Sequence, residues 1–148
     1  MIKLLKKLSD LSYNEKKLLF QALSVSLITY CVISIFPMKW YQKKLLGRQV
    51  RGTESHLYKV STDENEIKQV AKAVRRCSKY APWNTKCLVQ AITAKNLLRK
   101  YNIGSMLVLG VAKLNSSDLS AHAWLKVGDK IITGKKGMQR FTEVSKFI

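Results

Sequence analysis

The sequence predicts an α+β fold in which helices come first and an antiparallel sheet follows. Residues 61–80 and 83–104 carry apolar side chains at helical spacing, whereas residues 105–134 contain apolar and alternating runs typical of strands joined by a hairpin. The chain has 148 residues, 47% of them hydrophobic, which is enough for one buried core. This composition excludes a disordered tail and low-complexity sequence.

Residues 1–48 form a basic and apolar N-terminal region that we expect to be helical. Residues 18–38 carry no charged side chain, and this uncharged run is as long as a membrane-spanning helix. Its polar residues do not collect on one helical face, so it is not a surface amphipathic helix. We interpret it as a buried helix that ends at Pro37, and a helix resting on or inserted into a membrane remains the alternative. Lysines on both sides leave its orientation open.

Residues 49–148 are expected to hold the core of the protein. A loop or short strand leads to a helix for which Ser61 and Glu64 fit a capping box. Apolar residues then recur at the helical period, and Cys77 lies among them. We therefore interpret Cys77 as a core thiol.

A second helix begins close to Cys87 after Pro82 has interrupted the first. We expect Asn84 or Thr85 to be its N-cap and Asn102 to contribute to its end. Either cap places Cys87 in the first turn of the helix. Free backbone N–H groups and the positive end of the helix dipole stabilise a thiolate there.

Three strands are predicted after this helix, over residues 105–113, 121–127 and 130–134. The second strand alternates, with His122 and Trp124 on the same face. Gly128 and Asp129 have the length and composition of a two-residue hairpin loop. The predicted sheet is therefore antiparallel at least over this hairpin.

Cys87 at a helix N-terminus and His122 on a following strand have the layout that papain-like and transglutaminase-like enzymes use. The thiolate acts as the nucleophile, and the imidazole must reach it to take and return a proton. Regular pairing across the hairpin places His122 opposite about Lys135, with Thr133 as its diagonal neighbour. Neither is a carboxylate that could orient the imidazole.

The net charge of +18 suits three kinds of partner, nucleic acid, an anionic membrane or an acidic polypeptide, but it equally suits a solvated lysine-rich surface, so charge alone does not decide the function. We expect no nucleic acid, because no helix-turn-helix, RNA-binding or zinc-finger motif accompanies the charge. Three cysteines do not form a disulfide framework, which indicates the cytoplasm, with membrane association as the open alternative. Two histidines without a nearby cysteine pair predict no metal site, and we expect no cofactor.

The combined motifs resemble the leader peptidases of lasso-peptide biosynthesis, the transglutaminase-like protease half of the split B protein. The resemblance covers roughly residues 15–148. The motifs that carry it are Trp83, Cys87-Leu88, Gln90-Ala91 and His122-Ala123-Trp124.

The resemblance implies a cysteine protease that removes the leader from a ribosomally made precursor peptide, after which a separate lasso cyclase closes the macrolactam. Cys87 would be the nucleophile and His122 the general base and then acid, through a thioester acyl-enzyme. The resemblance also implies a separate winged-helix protein that binds the leader, since no segment here resembles that domain.

The family often places an aspartate on the strand after the hairpin, and this sequence does not. The orienting role is left to Thr133, a backbone carbonyl, Asp118 or Glu143. A non-catalytic scaffold of the same fold that binds precursor and partner is therefore the second hypothesis. A basic protein associated with membrane or nucleic acid, in which Cys87 and His122 meet by accident, is the third.

Overall fold

The computed structural model describes residues 10–51, 63–113 and 118–148. Within these residues, four helices are followed by most of the sheet. The helices are α1 (Tyr13–Ile35), the short α2 (Met38–Tyr41), α3 (Glu64–Tyr80) and α4 (Cys87–Lys100), with a π-helical turn over Gln42–Leu46. The strands are β1 (Gln49–Val50), β2 (Met106–Lys113), β3 (Leu119–Val127), β4 (Lys130–Thr133) and β5 (Thr142–Phe147). The predicted α+β class is confirmed.

Helix α1 begins and ends at recognisable signals. Ser12 accepts a hydrogen bond from the Glu15 backbone, and the Glu15 carboxylate accepts one from the Ser12 backbone, which completes a capping box. The helix ends at Ile35, and Phe36 is extended because the residue before a proline avoids helical geometry. The predicted end at Pro37 is confirmed.

Opposite faces of α1 have different surroundings. One face is buried against α3 and α4, through Leu18, Leu19, Ala22, Ser26 and Thr29. The opposite face exposes Phe20, Leu27, Ile28 and Ile35. The helix is long and apolar enough to cross a membrane, yet part of it belongs to the protein core.

Helix α3 starts later than the sequence indicates. Its N-cap is Asp63, whose carboxylate accepts a hydrogen bond from the Glu66 backbone, and the helix begins at Glu64. The expected cap Ser61 lies outside the described residues. Cys77 is buried near Ser26 of α1, with its sulfur 3.1 Å from the hydroxyl oxygen. It is a core thiol, as predicted, and burial raises its pKa.

Helix α4 is the centre of the fold. Ala91, Ile92, Ala94, Leu97 and Leu98 have no solvent exposure. The helix contacts α1 and α3 on one side and the sheet on the other. It ends at Lys100, and Asn102 then adopts the left-handed conformation that asparagine tolerates after a helix.

The sheet has five antiparallel strands in the order β1-β5-β2-β3-β4. The hairpin of β3 and β4 is confirmed, with Val127 paired to Lys130. Strand β1 has two residues and lies in the segment expected to be a loop or a short strand. Strand β5 was not predicted, because half of its six side chains are exposed and no clear alternation marks it. Leu107, Ala123 and Leu125 face the helices, whereas Met106, Val108 and Trp124 form a smaller core on the other face.

A boundary between residues 1–48 and 49–148 stays a prediction. The contacts of α1 show that this helix packs on the core formed by the rest of the chain.

Lys95 of α4 is a cation inside this core. It is 4% exposed, and its ammonium donates hydrogen bonds to the Ser105 carbonyl at 3.0 Å and the Phe147 carbonyl at 3.4 Å. Burial, with a smaller effect of the Arg99 charge, lowers its pKa from 10.5 to about 8. The side chain thus links α4 to β2 and to the end of β5.

We predict that Lys95 makes stability rise with pH above about 8. The unfolded chain keeps the lysine proton up to about 10.5, so between these values it binds more protons than the folded chain. Across this pH range, the free energy of unfolding of the wild type should therefore rise by on the order of 3 kcal/mol relative to that of Lys95→Met. Urea unfolding of both proteins at several pH values measures the difference. Parallel pH profiles would contradict the prediction.

Candidate active site

Cys87 is the first residue of α4, and the loop before it is held at two points. The Thr85 hydroxyl donates a hydrogen bond to the Ser78 carbonyl at the end of α3, at 3.2 Å. The Gln90 side-chain amide donates to the Thr85 carbonyl at 2.7 Å. The thiol is half-buried against the main core. Its position is thus determined by α3 and α4 together.

The expected N-caps of α4 are wrong. Lys86 is the N-cap residue and contributes no side-chain hydrogen bond. Thr85 does not cap the helix because its hydroxyl is bonded to Ser78, and Asn84 lies one residue further away. The predicted place of Cys87 in the first turn is nevertheless confirmed. No side-chain cap therefore covers the backbone N–H groups next to the thiol.

His122 lies in the first half of β3, and its imidazole contacts the chain just after β4. The Nε2 atom is 2.8 Å from the Gly134 carbonyl oxygen. Because a carbonyl only accepts, this hydrogen bond requires the proton on Nε2. In the neutral imidazole, Nδ1 is then the basic nitrogen.

The predicted position of His122 relative to the next strand is wrong. Thr133 pairs with Leu125, because the register shifts by one residue between Leu125 and Lys126, and β4 ends there. Neither Lys135 nor Thr133 therefore stands at the position that regular pairing predicted. Because of the bulge and the early end of β4, the edge of β3 beside His122 is contacted by the Gly134 backbone.

Aromatic residues support the other side of the imidazole. The ring centroids of Phe141 and Trp124 lie 5.0 and 6.0 Å from that of His122. Trp124 is 2% exposed and packs with Met106 and Val108, so it is a core residue. Phe141 follows the 3-10 turn Met138–Arg140 and was not singled out from the sequence.

Cys87 and His122 line the same cleft, which has a volume of about 380 Å³. Its walls come from α3, the first two turns of α4, and the segment from Ile131 to Lys136. Ala123 and Leu125 pack toward α4, so the alternation of β3 points His122 away from the helix-covered face. His122 lines the cleft nonetheless, at the edge of β3 that β4 does not cover.

The comparison with protein families yields one match. Residues 38–146, most of the chain, match the transglutaminase-like superfamily. The chain belongs to the transglutaminase-like superfamily. No curated protein and no solved structure gives a significant match. The superfamily includes cysteine proteases, and its fold agrees with the helices and antiparallel sheet described above.

The acidic residues considered as partners of His122 have other positions in this transglutaminase-like chain. Glu143 of β5 pairs with Gly110 of β2, two strands from β3, and its carboxylate is 2.8 Å from the Lys146 ammonium. Asp118 is exposed before β3, and Asp129 is in the hairpin turn. The hydrogen bond of His122 within the described part of the chain goes to the Gly134 carbonyl.

Gly134 is thus a site residue that the sequence did not reveal. Its φ is +75°, and a Cβ there would lie 2.8 Å from the Trp124 Cβ and even closer to the Ala123 carbonyl oxygen. Only glycine allows this close approach to β3. A glycine just after a short hairpin strand is a common turn signal, so the sequence alone gave no reason to connect it with His122.

In the part of the chain that the structure describes, no three His, Cys, Asp or Glu side chains lie close enough together to hold a metal ion. Cys31 is exposed on α1, distant in sequence from the cleft residues, and Cys77 is in the core. Trp83 is half-buried and is not among the residues that line the cleft.

We predict that Gly134→Ala displaces His122 without unfolding the protein. The new Cβ forces the chain away from β3, and the Gly134 carbonyl leaves Nε2. Long-range ¹⁵N NMR of the imidazole should show the Nε2-protonated tautomer in the wild type and a loss of this preference in the variant. The spectrum is simple because the chain has two histidines.

Gly137→Ala is the matched control. Gly137 also has a positive φ of 79°, but its nearest neighbour is the flexible end of Arg140, at 3.3 Å from the added Cβ. In this variant, backbone strain should lower the free energy of unfolding by about 1 kcal/mol, and His122 should keep its Nε2-protonated tautomer. Equal spectra for the two variants would show that Gly134 does not position His122.

Proposed function

We propose that the protein is a cysteine protease that removes the leader from a lasso-peptide precursor. The proposal rests chiefly on one observation, the presence of Cys87 and His122 in the same cleft. Membership of a superfamily that includes cysteine proteases supports it. The motif resemblance to lasso-peptide leader peptidases supplies the specific reaction and substrate.

The first half of the reaction forms a thioester. Nδ1 of His122 takes the proton of the Cys87 thiol, and the thiolate attacks the carbonyl carbon of the scissile peptide bond. The C–N bond then breaks, and the imidazolium gives its proton to the leaving amine. The Nε2–H bond to the Gly134 carbonyl keeps the imidazole oriented through both transfers.

The second half releases the leader. His122 takes a proton from water as the oxygen attacks the thioester carbonyl; the C–S bond then breaks, the leader leaves as a carboxylic acid, and the imidazolium returns its proton to the Cys87 sulfur. In both halves the carbonyl oxygen becomes negative. The Cys87 backbone N–H can stabilise this charge, because no side chain caps the start of α4. The role that the family often gives to an aspartate falls here to a backbone carbonyl.

The remaining machinery is proposed from the same resemblance. A separate winged-helix protein would bind the leader and deliver the precursor peptide, and a lasso cyclase would use the released core. The exposed basic surface of this chain is compatible with docking to these partners.

We predict that Cys87→Ala and His122→Ala each abolish leader cleavage. Either change removes a group that forms or breaks bonds, so the rate should fall at least about a hundredfold. Purified protein, leader-binding partner and candidate precursor are incubated, and mass spectrometry follows the products. Cys31→Ala, which removes an exposed cysteine of α1, is the control and should cleave at the wild-type rate.

Two other outcomes would contradict this assignment. Full activity of Cys87→Ala would exclude the thioester mechanism. Precursor binding without cleavage by the wild type would favour the scaffold, a function that the lack of a carboxylate beside His122 in the described residues also favours.

We further propose that the outer face of α1 rests on an anionic membrane in the cytoplasm. On α1, Phe20 is 72% exposed and Ile28 and Ile35 are also exposed; Trp40 of the short helix α2 that follows is 74% exposed. Lysines follow the helix at positions 39, 43 and 44 and suit anionic headgroups. The burial of the opposite face against α3 and α4 favours a helix that lies on the membrane over one that spans it.

We predict that Phe20→Glu/Ile28→Glu weakens binding to phosphatidylglycerol-containing vesicles at least about tenfold, because two apolar side chains no longer enter the lipid. Flotation with the vesicles measures the bound fraction. The control Leu119→Glu/Val144→Glu introduces the same charge at exposed apolar residues of the sheet and should bind as the wild type does. Equal loss in both variants would indicate an effect of charge alone, and no loss in the α1 variant would show that this face does not bind the membrane.

A further inference from the structure

The cleft that holds Cys87 and His122 is positively charged. Arg75 reaches it from α3, and Lys135 and Lys136 reach it from the segment after β4. No aspartate or glutamate is among the described residues that line it. Three cations from two separate elements therefore line the same cleft as the sulfur and the imidazole.

These three cations have no acidic partner within residues 10–51, 63–113 and 118–148. Neighbouring basic residues differ in this respect: Arg76 is 3.1 Å from the Glu15 carboxylate, and Lys130 is paired with Glu64. Glu15 and Glu64 are thus engaged away from the cleft. The charge of Arg75, Lys135 and Lys136 remains available to a ligand.

A hydroxyl group in the cleft wall also lacks a partner. Thr133 is 8% exposed, and its Oγ1 makes no hydrogen bond to any described residue. Buried polar atoms in proteins are almost always hydrogen-bonded. Thr133 lines the same cleft, so this unsatisfied hydroxyl belongs to a residue next to the space that a ligand would occupy.

The wall of the cleft also has an apolar part. Ala71 and Val74 of α3, together with Ile131 and Ile132 of β4, stand next to the charged residues. A polyphosphate or nucleic acid would leave these side chains without complementary contacts. A peptide segment with apolar residues and a carboxylate matches both parts of the wall.

We infer that the cleft selects peptides with an aspartate or glutamate close to the scissile bond. Arg75, Lys135 and Lys136 attract the carboxylate, and Thr133 donates a hydrogen bond to it or to the adjoining peptide. The position of the carboxylate next to a scissile bond rests on the proposed protease function. The preference of the cleft for anions does not rest on the protease function, and it is tested separately.

The first test compares the alkylation of Cys87 by anionic iodoacetate and neutral iodoacetamide, with peptide mapping by mass spectrometry. The iodoacetate-to-iodoacetamide rate ratio should be at least about threefold higher at Cys87 than at the exposed Cys31, because the local cations concentrate the anion. In Arg75→Gln/Lys135→Gln/Lys136→Gln, this difference should disappear. Lys72→Gln/Lys79→Gln/Lys113→Gln removes the same charge from exposed positions outside the cleft lining and should keep it.

The second test uses two versions of the precursor in the cleavage assay, with Glu or Gln next to the cleaved bond. The wild type should cleave the Glu version at least about tenfold faster, and the cleft variant should cleave both alike. Equal rates in the wild type, or equal alkylation ratios at Cys87 and Cys31, would overturn the inference. If neither version is cleaved while the alkylation difference is present, the protease proposal fails and the anion preference stands.

Discussion

The burial of α4 between two layers of the fold is the constraint on which the other elements depend. Five of its residues have no solvent exposure, with α1 and α3 on one side and the sheet on the other. A helix covered in this way reaches solvent mainly at its ends. Cys87 is at the N-terminal end, so the packing that builds the core also brings the thiol to the surface of a cleft. The small side chains of Ala91 and Ala94 let the neighbouring layers approach closely.

The candidate site depends on an irregularity of the sheet and not on its regular part. A regular hairpin would continue β4 past Thr133 and cover the edge of β3 beside His122. The register shift at Leu125 and Lys126 ends this pairing, and Gly134 then approaches β3 in a conformation that other residues rarely adopt. The result is a backbone carbonyl at the imidazole Nε2. Such a carbonyl carries no full charge, so it orients the ring without the electrostatic support that a carboxylate would add to an imidazolium.

The cationic side chains of this basic protein lie in several different environments. Lys95 is buried and shares its ammonium between two carbonyls, whereas Arg76 and Lys130 are paired with glutamates. Arg75 and the two lysines after β4 face the cleft without acidic partners among the described residues. Composition alone therefore describes the protein as basic, and only the position of each cation relates this charge to stability or to ligand binding.

The sequence by itself determined the α+β class, the helices around Cys77 and Cys87, and the hairpin of β3 and β4, because periodicity, caps and turn residues act over a few neighbouring positions. It also singled out Cys87 and His122 as residue types suited to one chemistry. The tertiary structure decided what depends on distant residues: the cap of α4, the pairing of β5, the bulge before Thr133 and the contact of His122 with Gly134. Thr85 illustrates the reason, since its local propensity to cap a helix was overruled by a carbonyl of α3.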